Sequence, residues 1–159
     1  MDIGQVIGVW IHTLAFVIAW GYYGVLARII LPGLERSLDR PGQIAALGAI
    51  ERRALPLVIL SLVLFTVTGT YLLLTDPKYA GLGNFFASTW TTLMLIKHVV
   101  VIVLVGLAVI VDVLIRRLGD VGDATAQSSS LRRVALAAEG ATGLGALIVL
   151  LTAAAQAVS

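Results

Sequence analysis

Residues 88–115 read STWTTLMLIKHVVVIVLVGLAVIVDVLI. A bilayer core takes roughly 20 apolar residues of helix, and this stretch exceeds that length. It opens on Ser88, a residue suited to an N-cap, and runs into Arg116-Arg117. Lys97 and His98 sit within it. An ionisable side chain at membrane depth is costly to hold, so it reads as functional unless a structural partner explains it.

The same apolar pattern recurs on either side. One stretch covers 4–31 and closes at Pro32-Gly33; another covers 54–75, with Pro56 placed in a first turn and Pro77 just past the end; a last one covers 134–158. Proline is tolerated in the opening turn of a helix and after its end. With 59% hydrophobic residues and a mean hydropathy of +1.01, the chain reads as one all-α transmembrane domain over 1–159, a four-helix bundle. No internal repeat interrupts that reading.

The arginines set the expected topology. Arg36, Arg40, Arg52 and Arg53 lie in the first connection, and Arg116, Arg117, Arg132 and Arg133 flank the third. The second connection offers only Lys78, beside Asp76. The positive-inside rule then puts connections one and three in the cytoplasm and both termini on the outer side, giving an up-down, multi-pass protein of the cytoplasmic (inner) membrane. The net charge of +2 is spent at helix ends, which argues against a nucleic-acid partner. There is no cysteine, which excludes disulfides, iron–sulfur clusters, thiolate metal sites and c-type haem attachment. The opening MDIGQVIGVW has no Lys or Arg and reads as a retained first span, not a cleaved signal.

The connections differ in character. Ile44, Leu47 and Ile50 recur at helical spacing, which predicts a short interfacial helix or an early start to span two. Tyr79, Phe85, Phe86 and Trp90 form an expected interfacial aromatic group on the outer side. GDVGDATAQSSS is polar and reads as a poorly ordered loop.

Only two histidines occur, His12 in span one and His98 in span three. Each lies about eight to ten residues in from the outer side, so both come out roughly 12–15 Å deep, within about one turn of each other. In a bundle with short connections these parallel spans are diagonal partners, roughly 11–14 Å apart. That spacing admits a flat macrocycle between two imidazoles, a bis-histidine haem b with His12 and His98 as metal ligands. Gly8, Ala15, Phe16 and Ala19 share the His12 face and would shape the cofactor cavity, although small residues also serve close helix packing. Copper(I) is the competing ligand, through His12, His98 and Met94, one turn from His98. Two neutral histidines that only hydrogen-bond inside the bundle are the third possibility.

Other polar groups have local accounts. Lys97 serves a propionate or quinone oxygen, or snorkels to the outer interface. Asp112 is spaced to pair with Arg116, and Glu139 lies level with Arg28 across spans four and one. Gly140, Gly143 and Gly145 give span four a small face for packing, while Trp20, Tyr22 and Tyr23 read as packing residues beside which a quinone ring has room to stack.

Several segments resemble a known family. WIHTLAFVIAWGYYGVLARIILPGLE (10–35) is similar to the first span of CopD-like membrane proteins, TGTYLLL (68–74) and STWTTLMLIKHVVVIVLVGL (88–107) to their later spans, and LRRVALAAEGATGLGALIVLLTA (131–153) to the closing one. Through the same superfamily the chain also resembles the HemJ type of protoporphyrinogen oxidase. His12, Trp20 and Lys97 match, with His98 a looser correspondence. The resemblance implies copper uptake or resistance on one side and haem-associated chemistry on the other. The chain departs from a copper-handling pattern in having no cysteine, no methionine cluster and no histidine-rich outer loop. The leading expectation is a b-type haem protein passing electrons between quinone or quinol and an outer-face carrier. Copper binding or import comes second, and a non-catalytic subunit of a respiratory or photosynthetic complex third. Electron transfer alone would not make the chain an enzyme; protoporphyrinogen oxidation would.

Overall fold

Helix caps and prolines explain where each element begins and ends in the computed structural model, which describes residues 3–79, 81, 83, 84, 86–120 and 124–158. Helix α1 covers Ile3–Val25 and α2 covers Leu31–Ser37, joined by a π-helical turn at Leu26–Ile30. Pro32 has no N–H, and its ring conflicts with the carbonyl four residues back. The wider turn resolves this: the Leu31 N–H reaches the Leu26 carbonyl, and Pro32 falls in the opening turn of α2. The helical course therefore passes through Pro32-Gly33, where an end was expected, and continues to Ser37.

Helix α3 covers Arg40–Thr75 without a break. Asp39 caps it, its Oδ1 accepting from the Gly42 N–H at 3.1 Å, and Pro41 occupies the first turn. Of the two readings for residues 44–50, the early start to span two is the one observed. Pro56 consequently lies in the helix interior and not in its first turn. Helix α4 covers Thr89–Arg117 and opens on the expected cap: the Ser88 hydroxyl accepts from the Thr91 N–H at 3.2 Å, and the Thr91 hydroxyl accepts from the Ser88 N–H at 3.1 Å. A 3₁₀ turn at Leu118–Asp120 follows. Helix α5 covers Ala124–Ala157, so the ATAQSSS segment is helical where a loop was expected. Ser128 and Ser129 donate to the carbonyls of Thr125 (2.7 Å) and Ala126 (2.9 Å), which satisfies both hydroxyls inside the helix.

Four helical stretches are long and apolar enough to cross a bilayer: Ile3–Ser37, Arg40–Thr75, Thr89–Arg117 and Thr125–Ala157. Large apolar side chains such as Trp10, Val67, Ile102 and Leu150 point away from the protein on all four, as lipid-facing surfaces do. Helix α1 packs along α3 and also meets α5, and α4 packs along α5. Helices α3 and α4 touch only lightly, and α1 and α4 share no extended contact. The largest fully buried side chains are Leu26, Leu47, Val111, Leu118 and Val134.

Small residues set the closest approaches. The Trp20 indole lies where a Cβ on Gly145 would stand, and a Cβ on Gly140 would meet Leu107 at 3.4 Å, whereas Gly143 faces open space. Both expected charge pairs form: Arg28 Nη2 to Glu139 Oε2 at 3.4 Å, and Arg116 Nε to Asp112 Oδ1 at 2.7 Å.

Candidate functional site

A cavity of about 400 Å³ receives wall residues from all four long helices. Helix α1 contributes Val9, His12 and Thr13; α3 contributes residues of 65–73; α4 contributes Trp90, Met94, Lys97, His98 and Val101; α5 contributes Thr152, Ala155 and Gln156. Asp76 and Lys78 close one end from the connection after α3. The volume falls within the range of small-molecule and cofactor sites, about 300–1,000 Å³. His12 and His98, 86 positions apart, thus line one void.

Each imidazole is fixed through the same atom. His12 Nδ1 lies 2.9 Å from the Phe65 carbonyl and 3.1 Å from Thr68 Oγ1, while His98 Nδ1 lies 2.6 Å from the Met94 carbonyl. A carbonyl only accepts, so Nδ1 carries a proton in both rings, and Nε2 is the nitrogen left to bind a metal when the ring is neutral. The Thr68 hydroxyl donates to Leu64 O at 2.5 Å, which leaves its oxygen free to accept from His12. An Nδ1–H held by a backbone carbonyl is the usual support behind a metal-ligating imidazole. The His12 ring also stacks on Phe65, with centroids 4.2 Å apart and planes 17° apart. A Cβ on Gly69 would come within 2.8 Å of His12 Cε1, so that glycine is what admits the ring.

Of the residues anticipated for this site, His12, His98, Met94 and Lys97 line the cavity. Gly8, Ala15, Phe16 and Ala19 are buried but are not among its walls. A Cβ on Gly8 would touch Tyr71 and Leu72 at 3.4 Å, and Phe16 packs against Phe65 and Trp20, both with centroids 5.5 Å away. Their shared helical face closes onto neighbouring helices, and only its His12 level opens. Lys97 is half-buried in the wall. Trp90, expected at the interface, is also buried in the cavity wall, whereas Phe86 is exposed; Phe85 lies outside the described residues.

Sequence reasoning missed the α3 side of the cavity, Phe65, Thr66, Gly69 and Thr70, the Thr68 hydroxyl behind His12, and the connection residue Lys78. The available signal was the run Thr66, Thr68, Gly69, Thr70 inside an otherwise aliphatic segment. Trp20 and Tyr22 also do more than pack. Trp20 Nε1 donates to the Thr142 carbonyl at 2.8 Å, and the Tyr22 hydroxyl donates to Glu51.

Among the described residues, no three His, Cys, Asp or Glu side chains converge to hold a metal ion. The metal donors in the cavity wall are the two imidazoles and Met94, with the Asp76 carboxylate at one end. Comparison with known protein families, curated proteins and solved structures finds no match to this chain.

Proposed function

We propose that the chain is a b-type haem protein of the cytoplasmic membrane that exchanges electrons between quinol or quinone and a carrier or neighbouring subunit on the outer face. The observation that carries this reading is that His12 and His98 line one cavity, each with its Nδ1–H committed to a main-chain carbonyl. Two imidazoles that bind through Nε2 are the donor set of six-coordinate haem iron. Lys97 and Lys78 belong to the same wall and supply cations for propionates. The likeness to HemJ-type proteins, carried by His12, Trp20 and Lys97, supports the same reading.

A haem held there supplies one-electron exchange. The protein's own contribution is to hold two imidazoles in one tautomer, line the slot with Val9, Phe65, Leu72 and Val101, and place cations at its edge. With no further histidine in the chain, a relay across the full membrane falls to a partner subunit. In the proposed arrangement the spans alternate up and down, the termini face outward, and the cavity lies in the outer half, as the arginine distribution implies.

The test is the absorption spectrum of the purified protein, as isolated and after titration with hemin. A Soret band with sharp reduced bis-imidazole bands, lost in both His12→Ala and His98→Ala, is the expected result. A sample that takes up no hemin sinks the proposal. A second reading, copper(I) held by His12, Met94 and His98, rests on Met94 sharing the cavity. It predicts a colourless protein that binds one Cu(I) and loses it in Met94→Leu.

A further inference from the structure

A second cavity, about 680 Å³, lies in the gap between α3 and α4 at the opposite end of the bundle. Along α3, Glu51 in its wall is about 20 Å from Phe65 in the histidine cavity. Ile44, Leu55, Pro56 and Ile115 give it apolar walls, and its polar members are Glu51, Arg52, Asp112 and Arg116.

Two carboxylates and two guanidiniums line this cavity, and one of each, Asp112 and Arg116, pair with each other at 2.7 Å. Glu51 is only 5% exposed, and its Oε2 accepts from the Tyr22 hydroxyl. Among the described residues the ion pairs are Arg28–Glu139 and Arg116–Asp112, so no cation is in direct contact with Glu51, and Arg116 acts on it only through space. A buried carboxylate without a cation or proton is expensive. Arg116 engages Asp112 through Nε and is otherwise exposed, and Arg52 Nη1 lies over Gly48, 3.8 Å from where a Cβ there would stand. The Glu51 carboxylate thus lies deep, and the guanidiniums of Arg52 and Arg116, the latter shared with Asp112, lie at the rim.

We propose that this cavity binds the headgroup of a phospholipid carrying a primary amine, of the ethanolamine type. Its ammonium meets Glu51 at depth, its phosphate meets Arg52 and Arg116 at the rim, and its acyl chains leave along the lightly packed α3–α4 seam. The order of charges selects this class. A purely anionic headgroup offers nothing to Glu51, and a choline has no N–H to donate to it. A bare divalent cation finds one unpaired carboxylate here and no converging ligand set. The assignment is independent of what the histidine cavity holds.

Native mass spectrometry of the full chain in detergent, with equimolar phosphatidylethanolamine, phosphatidylcholine and phosphatidylglycerol, tests it. The ethanolamine lipid is expected to be retained about tenfold over either competitor, the scale of one charge-assisted hydrogen-bond set. Glu51→Gln, which still accepts from Tyr22, is expected to abolish the preference. Equal retention of the three lipids by the unmodified protein overturns the proposal with no variant needed. So does an unchanged preference in a folded Glu51→Gln. Free phosphoethanolamine is the second arm: displacement of the lipid by equimolar soluble headgroup would identify a soluble ligand and overturn the lipid assignment.

Discussion

The indole of Trp20 occupies the space that a side chain on Gly145 would need, and from there its Nε1–H reaches the Thr142 carbonyl at 2.8 Å. One residue of α1 is thereby keyed into α5 by both shape and a hydrogen bond. Gly145→Ala must push the ring out and break that bond. We expect a loss of about 1–3 kcal/mol, the usual scale of overpacking. Gly143→Ala, facing open space in the same helix, is the control. Detergent-solubilised thermal unfolding should show a clear drop in Tm for the first and little change for the second. Equal Tm values would mean that the key does not hold the helices.

Gly69 plays the corresponding role for His12. A methyl there would lie 2.8 Å from the imidazole Cε1, so Gly69→Ala must turn or displace the ring. The change alters no charge and removes no ligand. In a protein loaded with hemin it should shift the reduced bands and weaken loading by about tenfold or more, while Gly106→Ala, which meets nothing within 4 Å on α4, leaves both unchanged. Identical spectra for the two variants would show that His12 does not face the bound group.

The different signals behind these features explain what was legible beforehand. Hydropathy alone locates the four spans, because lipid demands apolar side chains over a fixed length. Helical spacing alone finds Asp112–Arg116, and depth matching finds Arg28–Glu139 and the common level of His12 and His98. Helix ends are less visible. Passage through Pro32 depends on a widened turn, and the helical ATAQSSS segment depends on serines bonding backward, and neither alters hydropathy. The face carrying Gly8, Ala15, Phe16 and Ala19 was visible as a face. Its use, closing on Phe65, Tyr71 and Leu72 of α3, depends on which neighbour packs there. No spacing in the sequence sets Glu51 apart; the fold places Tyr22 and the α3–α4 gap beside it.

Tyr22 and Glu51 yield an asymmetric expectation. Glu51→Gln keeps an acceptor for the Tyr22 hydroxyl, whereas Tyr22→Phe leaves a buried carboxylate with no donor among its described partners. Leaving a buried polar group unmet costs about 1–3 kcal/mol, more for a charged one. Tyr22→Phe should therefore lower Tm more than Glu51→Gln does, and the double variant should recover part of the loss. A Tyr22→Phe protein as stable as the parent would place the hydroxyl contact outside the stabilising set.

The absence of native cysteine makes the orientation directly measurable. Lys78 lies in the connection after α3, at the mouth of the histidine cavity, and Arg36 lies in α2 near the other end. Single-cysteine variants Lys78→Cys and Arg36→Cys introduce one thiol each into an otherwise thiol-free chain. With eight arginines flanking connections one and three against one lysine in connection two, the outer face should carry position 78. A membrane-impermeant maleimide added to intact cells should label Lys78→Cys, and Arg36→Cys only after lysis. The reverse pattern would put the histidine cavity on the cytoplasmic side, and any electron partner would have to be sought there.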